Sequence, residues 1–161
     1  MSNITYFYNI FVIMKIYYDT HSFPTVHVTV TNETDDNNDF YNRFMNYWET
    51  KYKERKHFHF LFNFESLSKP NLGLLIDFVK RQKKLKEESI QYLDYSVVIV
   101  NNIVIKSILN GIWKISPPLN TVYLVSQLYI ANQLINHLNN IFLNEDYISS
   151  FILCNNITKI L

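Results

Sequence analysis

Hydrophobic and polar positions follow two different periods between residues 57 and 125. Three short apolar runs predict strands, at His57–Phe64, Ser96–Val100 and Thr121–Val125. The two stretches between them place apolar residues three and four positions apart, the spacing of a helix that buries one face. Strands that alternate with helices of this length predict a parallel sheet covered by helices.

The chain before this block predicts two strands and a helix. Ile4–Tyr18 is rich in β-branched and aromatic residues, which favours one strand or a bent pair. In Thr25–Thr31, valines alternate with threonine and histidine, a pattern that suits an antiparallel or edge strand. Asp39 is a candidate N-cap for a helix with an aromatic inner face: Phe40, Phe44, Tyr47 and Trp48.

Three later helices are predicted from their apolar stripes and caps. Pro70 fits the first turn of the first helix, Asn101 or Asn102 caps the second, and Ser126 caps the third. Ser116-Pro117-Pro118 ends the second helix. The expected inner faces are Leu72, Leu75, Ile76 and Val79; then Ile105, Ile108, Leu109 and Ile112; then Ile130, Leu134, Ile135, Leu138 and Phe142.

These elements predict an α/β fold: a mixed, mostly parallel sheet of about five strands with helices on both faces. At 161 residues the chain is expected to form a single domain, with a core at residues 23–142. Residues 143–161 form a C-terminal tail in which Ile148, Phe151 and Ile152 suit a short helix.

Composition narrows the functional classes. The chain is 48% hydrophobic, which is enough for a sizeable core, and its net charge of +1 gives no general attraction to nucleic acid. Cys154 is the only cysteine, which fits a reducing compartment and predicts a cytoplasmic protein.

Ile4–Tyr18 is interrupted by Asn9 and Lys15 and is shorter than the ~20 apolar residues of a membrane-spanning helix. It also lacks the basic start and the cleavage site of a signal peptide.

Motifs for cofactors are weak. Gly73 and Gly111, the two glycines, are far apart inside predicted helices, so they form neither a P-loop nor a dinucleotide-binding turn. His57 and His59 share one face of a strand and suit either a metal or an ordinary strand surface, of which the second is favoured. Asp35, Asp36 and Asp39 lack calcium-loop spacing. We therefore expect no cofactor and no metal.

Catalytic constellations are equally weak. Cys154 is either a nucleophile paired with a distant histidine or a small apolar filler, and its apolar neighbours favour the filler. An enzyme would need polar groups to converge at the strand ends, with Glu65, Asn101 and Asn102 as the candidates. We expect a non-enzymatic protein.

Two features favour a binding surface. The Glu65–Asn71 loop follows the carboxyl end of a predicted parallel strand, where ligands and partners of open α/β sheets bind. Its Ser66 and Ser68 precede a helix N-terminus, so they suit either a phosphate site or helix capping. The basic run Lys80–Lys86 suits contact with nucleic acid, an anionic lipid or an acidic partner, or else a solvated helix end.

The block resembles the SpoIIAA-like fold of STAS domains (anti-sigma-factor antagonists) and of Sec14/CRAL-TRIO lipid-binding domains. The strand His57–Phe64, its turn and Leu72-Gly73-Leu74-Leu75 resemble the STAS segment in which a strand leads into Asp-Ser-Ser-Gly-Leu-Gly. Ser96–Asn102 followed by Ile112–Leu119 resembles the Sec14-type strand and helix. The STAS phosphoserine positions hold Lys69 and Pro70, so the phosphorylation switch of the family is not carried over.

The resemblance and the binding features predict a STAS-like, non-catalytic module for protein–protein interaction. The alternative is a small Sec14-like protein that binds a lipid or another apolar ligand, which would need a pocket of at least ~300 Å³. The expected partner-binding residues lie on the loop and on the helix after it: Glu65, Ser66, Ser68, Lys69, Asn71, Leu72, Lys80, Lys83 and Lys84.

Overall fold

The computed structural model describes residues 13–33, 39–88, 90–140 and 142–161. Within these residues the chain is α/β, with six strands and five helices. The strands are β1 (Ile13–Asp19), β2 (Thr25–Glu33), β3 (Phe58–Asn63), β4 (Leu93–Ile99), β5 (Val122–Val125) and β6 (Thr158–Ile160). The helices are α1 (Asp39–Glu54), α2 (Leu72–Lys86), α3 (Ile103–Ile115), α4 (Leu128–Leu138) and α5 (Glu145–Cys154).

The six strands form one mixed sheet in the order in which they occur along the chain. β2, β3, β4 and β5 are parallel, whereas β1 and β6 pair antiparallel with the strands beside them. Each parallel crossover therefore advances one strand in the same direction. The α/β class is confirmed, with β6 as a strand that the apolar pattern does not predict.

The three crossover helices α1, α2 and α3 cover one face of the sheet. They share a hydrophobic cluster with side chains from β1 to β5, among them Phe58, Phe60 and Phe62 of β3. The ring of Phe60 lies 5.5 Å from that of Phe44 and 5.1 Å from that of Trp48, both on α1. Alternate positions of β3 thus form a row of phenylalanines beneath α1, as its period-two pattern predicts.

The opposite face of β4 and β5 packs against α4. Val97, Ile99, Tyr123 and Val125 form a second cluster with Ile130, Ala131, Leu134 and Ile135 of α4. On the far side of α4, the ring of His137 contacts Tyr147 and Phe151 of α5. The described helices therefore cover both faces of the sheet.

The strand predictions agree with the structure to within a few residues in the block from residue 57 to residue 125. β2 also forms as expected and pairs antiparallel with β1, but β3 flanks it on the other side, so it is not an edge strand. The predicted strand Ile4–Tyr18 is described only from Ile13, and the acidic residues Asp35 and Asp36 lie outside the described residues. Asp39 is the first residue of α1, and its side chain, like that of Phe40, lies outside the description.

The prediction for the inner face of α2 is wrong, because the helix is rotated about its axis relative to the predicted orientation. Leu75 is buried as expected, but Leu72 and Ile76 are 57% and 56% exposed. Phe78 turns toward the core instead, and its ring lies 5.4 Å from that of Trp48. Contact between two large aromatic rings outweighs the burial of smaller aliphatic side chains, and it sets the rotation of α2.

Two predicted caps are also wrong. Pro70 precedes the N-cap of α2 and is not in its first turn, since Asn71 occupies the cap. The N-cap of α4 is Gln127, which makes no side-chain capping bond, and not Ser126. Asn102 caps α3 as expected, by accepting hydrogen bonds from the amides of Val104 and Ile105.

The end of α4 differs from its prediction too. The helix ends at Leu138, so Phe142, expected on its inner face, lies beyond it and is 90% exposed. The short helix expected in the tail is present as α5, which carries Ile148, Phe151 and Ile152.

We predict that Phe60→Ala lowers the free energy of unfolding by about 3–5 kcal/mol, because it leaves a cavity beneath Phe44 and Trp48. Phe142→Ala is the matched control, and it is expected to change stability by less than ~0.5 kcal/mol. Urea denaturation followed by circular dichroism measures both changes. Equal effects of the two substitutions would contradict the packing described for β3.

Candidate functional site

The loop of residues 64–71 leaves the carboxyl end of β3 and leads into α2. Phe64 and Leu67 anchor it, because both side chains are buried in the cluster on the helix-covered face. The amide of Phe64 donates to the carbonyl of Ile99 on β4, and the amide of Leu67 donates to the carbonyl of Phe64. Between these anchors, Glu65 and Ser66 form an exposed turn.

Asn32, at the end of β2, fixes the second half of the loop. Its Oδ1 accepts hydrogen bonds from the amides of Ser68 and Lys69, both at 2.8 Å, and from the hydroxyl of Ser68 at 3.0 Å. Its Nδ2 donates to the carbonyl of Lys69 at 2.8 Å. One side chain thus satisfies four polar groups, so it holds the loop against the neighbouring strand.

The N-terminus of α2 is capped by Asn71, whose Oδ1 accepts from the amide of Leu74 at 3.1 Å. The interpretation of Ser66 and Ser68 as capping residues is therefore wrong. Ser66 lies in the exposed turn, and Ser68 donates to Asn32. Both serines precede the cap by at least three residues.

The outer surface of α2 joins an apolar part to a basic part. Leu72 and Ile76 lie one helical turn apart near its start, and each exposes more than half of its surface. Exposed lysines follow toward the C-terminus: Lys80, Lys83, Lys84 and Lys86. We call this surface, from Leu72 to Lys86, the α2 face.

Polar side chains join α2 to α1. The Tyr41 hydroxyl donates to Asp77 Oδ2 at 2.7 Å, and Arg81 Nε lies 3.2 Å from the same carboxylate. Burial, followed by the adjacent Asp77 carboxylate, raises the pKa of Tyr41 above its ordinary value, so the hydroxyl stays a donor. Arg81 also donates to Asn42 and lies 3.9 Å from Glu49. These contacts fix the side of α2 that faces α1.

The two candidate metal-binding histidines occupy different environments. His57 precedes β3, is exposed, and places Nδ1 2.6 Å from Asp94 Oδ1. His59 is 2% exposed; its Nε2 lies 2.6 Å from the Thr25 hydroxyl and its ring stacks on Tyr95 at 4.5 Å. No group of three or more histidine, cysteine, aspartate or glutamate side chains suited to a metal occurs among the described residues.

The candidate catalytic residues have structural roles or lie at the surface. Glu65 Oε2 accepts from Asn63 at 3.2 Å, Asn102 caps α3, and Asn101 is exposed. Cys154 is exposed at the end of α5, so its interpretation as an apolar filler is wrong.

A cavity of about 70 Å³ lies between the sheet and helices α1, α2 and α3. Aromatic and aliphatic side chains form most of its wall, including Phe44, Trp48 and Phe62. Its volume is far below the ~300 Å³ of a pocket that buries a drug-sized ligand.

The chain was compared with protein-family models, with curated proteins and with solved structures, and none of the three comparisons gives a match. Among the described helices, none combines the length and the apolar character needed to cross a bilayer.

The sequence predicts the loop and helix α2 as a candidate binding surface, but it does not predict the residues that position them. In the sequence, nothing distinguishes Asn32 from any other polar residue at the end of a strand. Only the pairing of β2 with β3 brings its side chain to the loop. The spacing of Asp77 and Arg81, four residues apart on a helix, was a readable sign of an ion pair. Their contact with Tyr41 depends on the packing of α1 beside α2.

We predict that Asn32→Ala raises the hydrogen-exchange rates of the Ser68 and Lys69 amides by about 10-fold or more, because both lose their acceptor. Asn32→Asp keeps the acceptor and is expected to have a smaller effect. Asn101→Ala, at an exposed asparagine of the next strand end, is the matched control. Amide exchange followed by NMR measures the rates, and unchanged rates in Asn32→Ala would contradict the role of Asn32.

We also predict a pH dependence of stability that comes from His59. Burial lowers the pKa of His59 from 6.5 to about 4. As the pH falls through this range, His59 therefore binds a proton at a higher pH in the unfolded chain than in the folded chain. Stability is therefore fully present above pH 6.5 and falls, by up to ~3 kcal/mol, as the pH drops toward 4.

The measurement is the difference between the pH profiles of the wild type and of His59→Leu, from urea denaturation at each pH. Asn101→Leu, at an exposed residue that does not titrate, is expected to keep the wild-type slope. A His59→Leu profile with the wild-type slope between pH 6.5 and 4 would rule out this contribution.

Proposed function

We propose that the chain is a non-catalytic protein-interaction module that binds its partner through the α2 face and the loop of residues 64–71. The observation that carries the proposal is the exposure of Leu72 and Ile76 on a helix whose other end carries four exposed lysines. The inner side of α2 already packs on the core through Leu75, Phe78 and Leu85. The exposed aliphatic side chains are therefore available to a partner.

The chemistry of the α2 face indicates the class of partner. Lys80, Lys83 and Lys84 favour an acidic segment, and Leu72 and Ile76 favour apolar side chains beside its carboxylates. Burial of a leucine or isoleucine side chain that is half exposed contributes about 1 kcal/mol. The lysines contribute to encounter rate and orientation, in a salt-dependent way. An acidic amphipathic segment satisfies both parts of the surface.

The SpoIIAA-like assignment is part of this proposal. It is supported by four parallel strands in consecutive order, each joined to the next by a helix on the same face of the sheet. Under this assignment the turn after β3 is the position of the STAS phosphoserine switch. Lys69 and Pro70 stand at the serine positions, so partner binding here does not use that switch. A cytoplasmic location, expected from the single cysteine, stays a prediction.

Binding of a whole lipid, the alternative function, is not favoured by the cavity. Its volume of about 70 Å³ is less than a quarter of what a pocket for a ligand of that size requires.

We predict that Leu72→Asp with Ile76→Asp, or charge reversal of Lys80, Lys83 and Lys84 to Glu, weakens the complex by at least about 10-fold, the equivalent of 1.4 kcal/mol. The partner is first recovered by affinity purification and identified by mass spectrometry, and its affinity for each variant is then measured by calorimetry. The charge-reversed variant is also expected to lose most of the salt dependence of binding.

Controls for these variants lie on other elements of the fold. Leu153→Asp places the same charge at an exposed leucine of α5, and Lys159→Glu reverses an exposed lysine of β6. Both are expected to bind like the wild type. Wild-type affinity of the Leu72→Asp and Ile76→Asp variant would overturn the α2 face as the binding surface.

A further inference from the structure

Two polar side chains of largely buried residues line the cavity beneath α2. Gln82 of α2 and Ser96 of β4 both line it, and each residue is only 6% exposed. Neither side chain makes a hydrogen bond within the described part of the chain, although Gln82 offers two donors and an acceptor. Fully buried side-chain atoms without a partner are found among the described residues at the Tyr47 hydroxyl and at Trp48 Nε1, so the polar atoms of Gln82 and Ser96 remain accessible from the cavity.

The polar groups lie together at one end of the cavity. Ser96 pairs in register with Val122, and its amide donates to the carbonyl of Thr121, which places it beside Asn120. Asn120 also lines the cavity, and Gln82 comes from the last turns of α2. Since α2 runs back along the sheet, its last turns approach the strand ends where β5 begins.

The rest of the cavity is apolar and incompletely closed. Phe62, Phe64 and Leu74 lie toward the carboxyl ends of the strands. Val79 of α2 and Ile112 of α3, which also line the cavity, are only half-buried. Both side chains reach solvent, so the cavity is only partly enclosed where α2 and α3 line it.

We propose that this cavity binds a small amphiphilic organic molecule whose single neutral polar head, a hydroxyl or a primary amide, bonds to Gln82 and Ser96. Its volume of about 70 Å³ is small, so the head and the first carbons fill it and a longer chain extends between α2 and α3. Water can satisfy the polar end, but it finds no partners along the apolar wall. A neutral head is specified because no lysine, arginine or histidine is among the lining residues. The site is distinct from the α2 face, which lies on the outer side of the helix.

The test uses 1-butanol as the probe and methyl NMR spectra of the full chain. Saturable shifts are expected at methyl groups that line the cavity, those of Leu75, Val98 and Leu109, without equal shifts at the exposed Leu153. Gln82→Leu is expected to raise the dissociation constant about 10-fold through loss of a hydrogen bond to the head. Ser96→Ala is expected to raise it as well.

Matched controls separate binding from changes in folding. Gln133→Leu makes the same change at an exposed glutamine of α4, and Ser126→Ala at an exposed serine; both should keep the wild-type dissociation constant. The absence of saturable shifts at the lining methyl groups would overturn the proposal, as would wild-type affinity in both Gln82→Leu and Ser96→Ala. A crystal structure grown with butanol that shows ordered water alone in the cavity would overturn it too. None of these outcomes bears on partner binding at the α2 face.

Discussion

The packing of the β3 phenylalanines against α1 is the constraint on which the rest of the structure depends. Phe60 contacts Phe44 and Trp48, and Trp48 in turn contacts Phe78 of α2. This chain of aromatic contacts joins the centre of the sheet to two crossover helices. It sets the rotation of α2, and that rotation leaves Leu72 and Ile76 at the surface and directs Gln82 inward. The proposed partner surface and the proposed ligand cavity are thus opposite sides of one helix whose position α1 determines.

Local patterns made much of the fold predictable. Phenylalanine at alternate positions identifies β3 by its period, and the apolar run Val97–Ile99 identifies β4. Asn102 identifies the start of α3 by its capping chemistry. β6 escaped prediction because a three-residue strand has no measurable period, and it forms only through its pairing with β5. The prediction of the inner face of α2 is wrong because the seven apolar side chains of the helix allow two different stripes. Only the position of Trp48 decides between them.

For the candidate site too, the sequence predicts the local features and does not predict the long-range contacts. The exposed loop and the basic helix end are local features, so the sequence predicts them. Asn32 and Tyr41 act across 36 residues each, on Ser68 and on Asp77, and nothing near them in the sequence indicates it. The burial of Gln82 is not predicted for another reason: a glutamine between Arg81 and Lys83 is typical of a solvated helix surface, although here it is buried. Long-range hydrogen bonds and burial, which depend on the assembled sheet, account for these omissions.

The consecutive strand order has a consequence for how the chain is made. β2 to β5 can pair in the order of synthesis, each with the strand just completed, and such sequence-local contacts favour rapid folding. Within the described residues, the opposite face of β4 and β5 is covered by α4 and α5, which come later. At ~5–20 residues per second, the ribosome needs a few seconds to reach the end of α5 after β5 is complete. During that interval Val97, Ile99 and Tyr123 present an uncovered hydrophobic sheet, which is the kind of surface that chaperones bind on nascent chains.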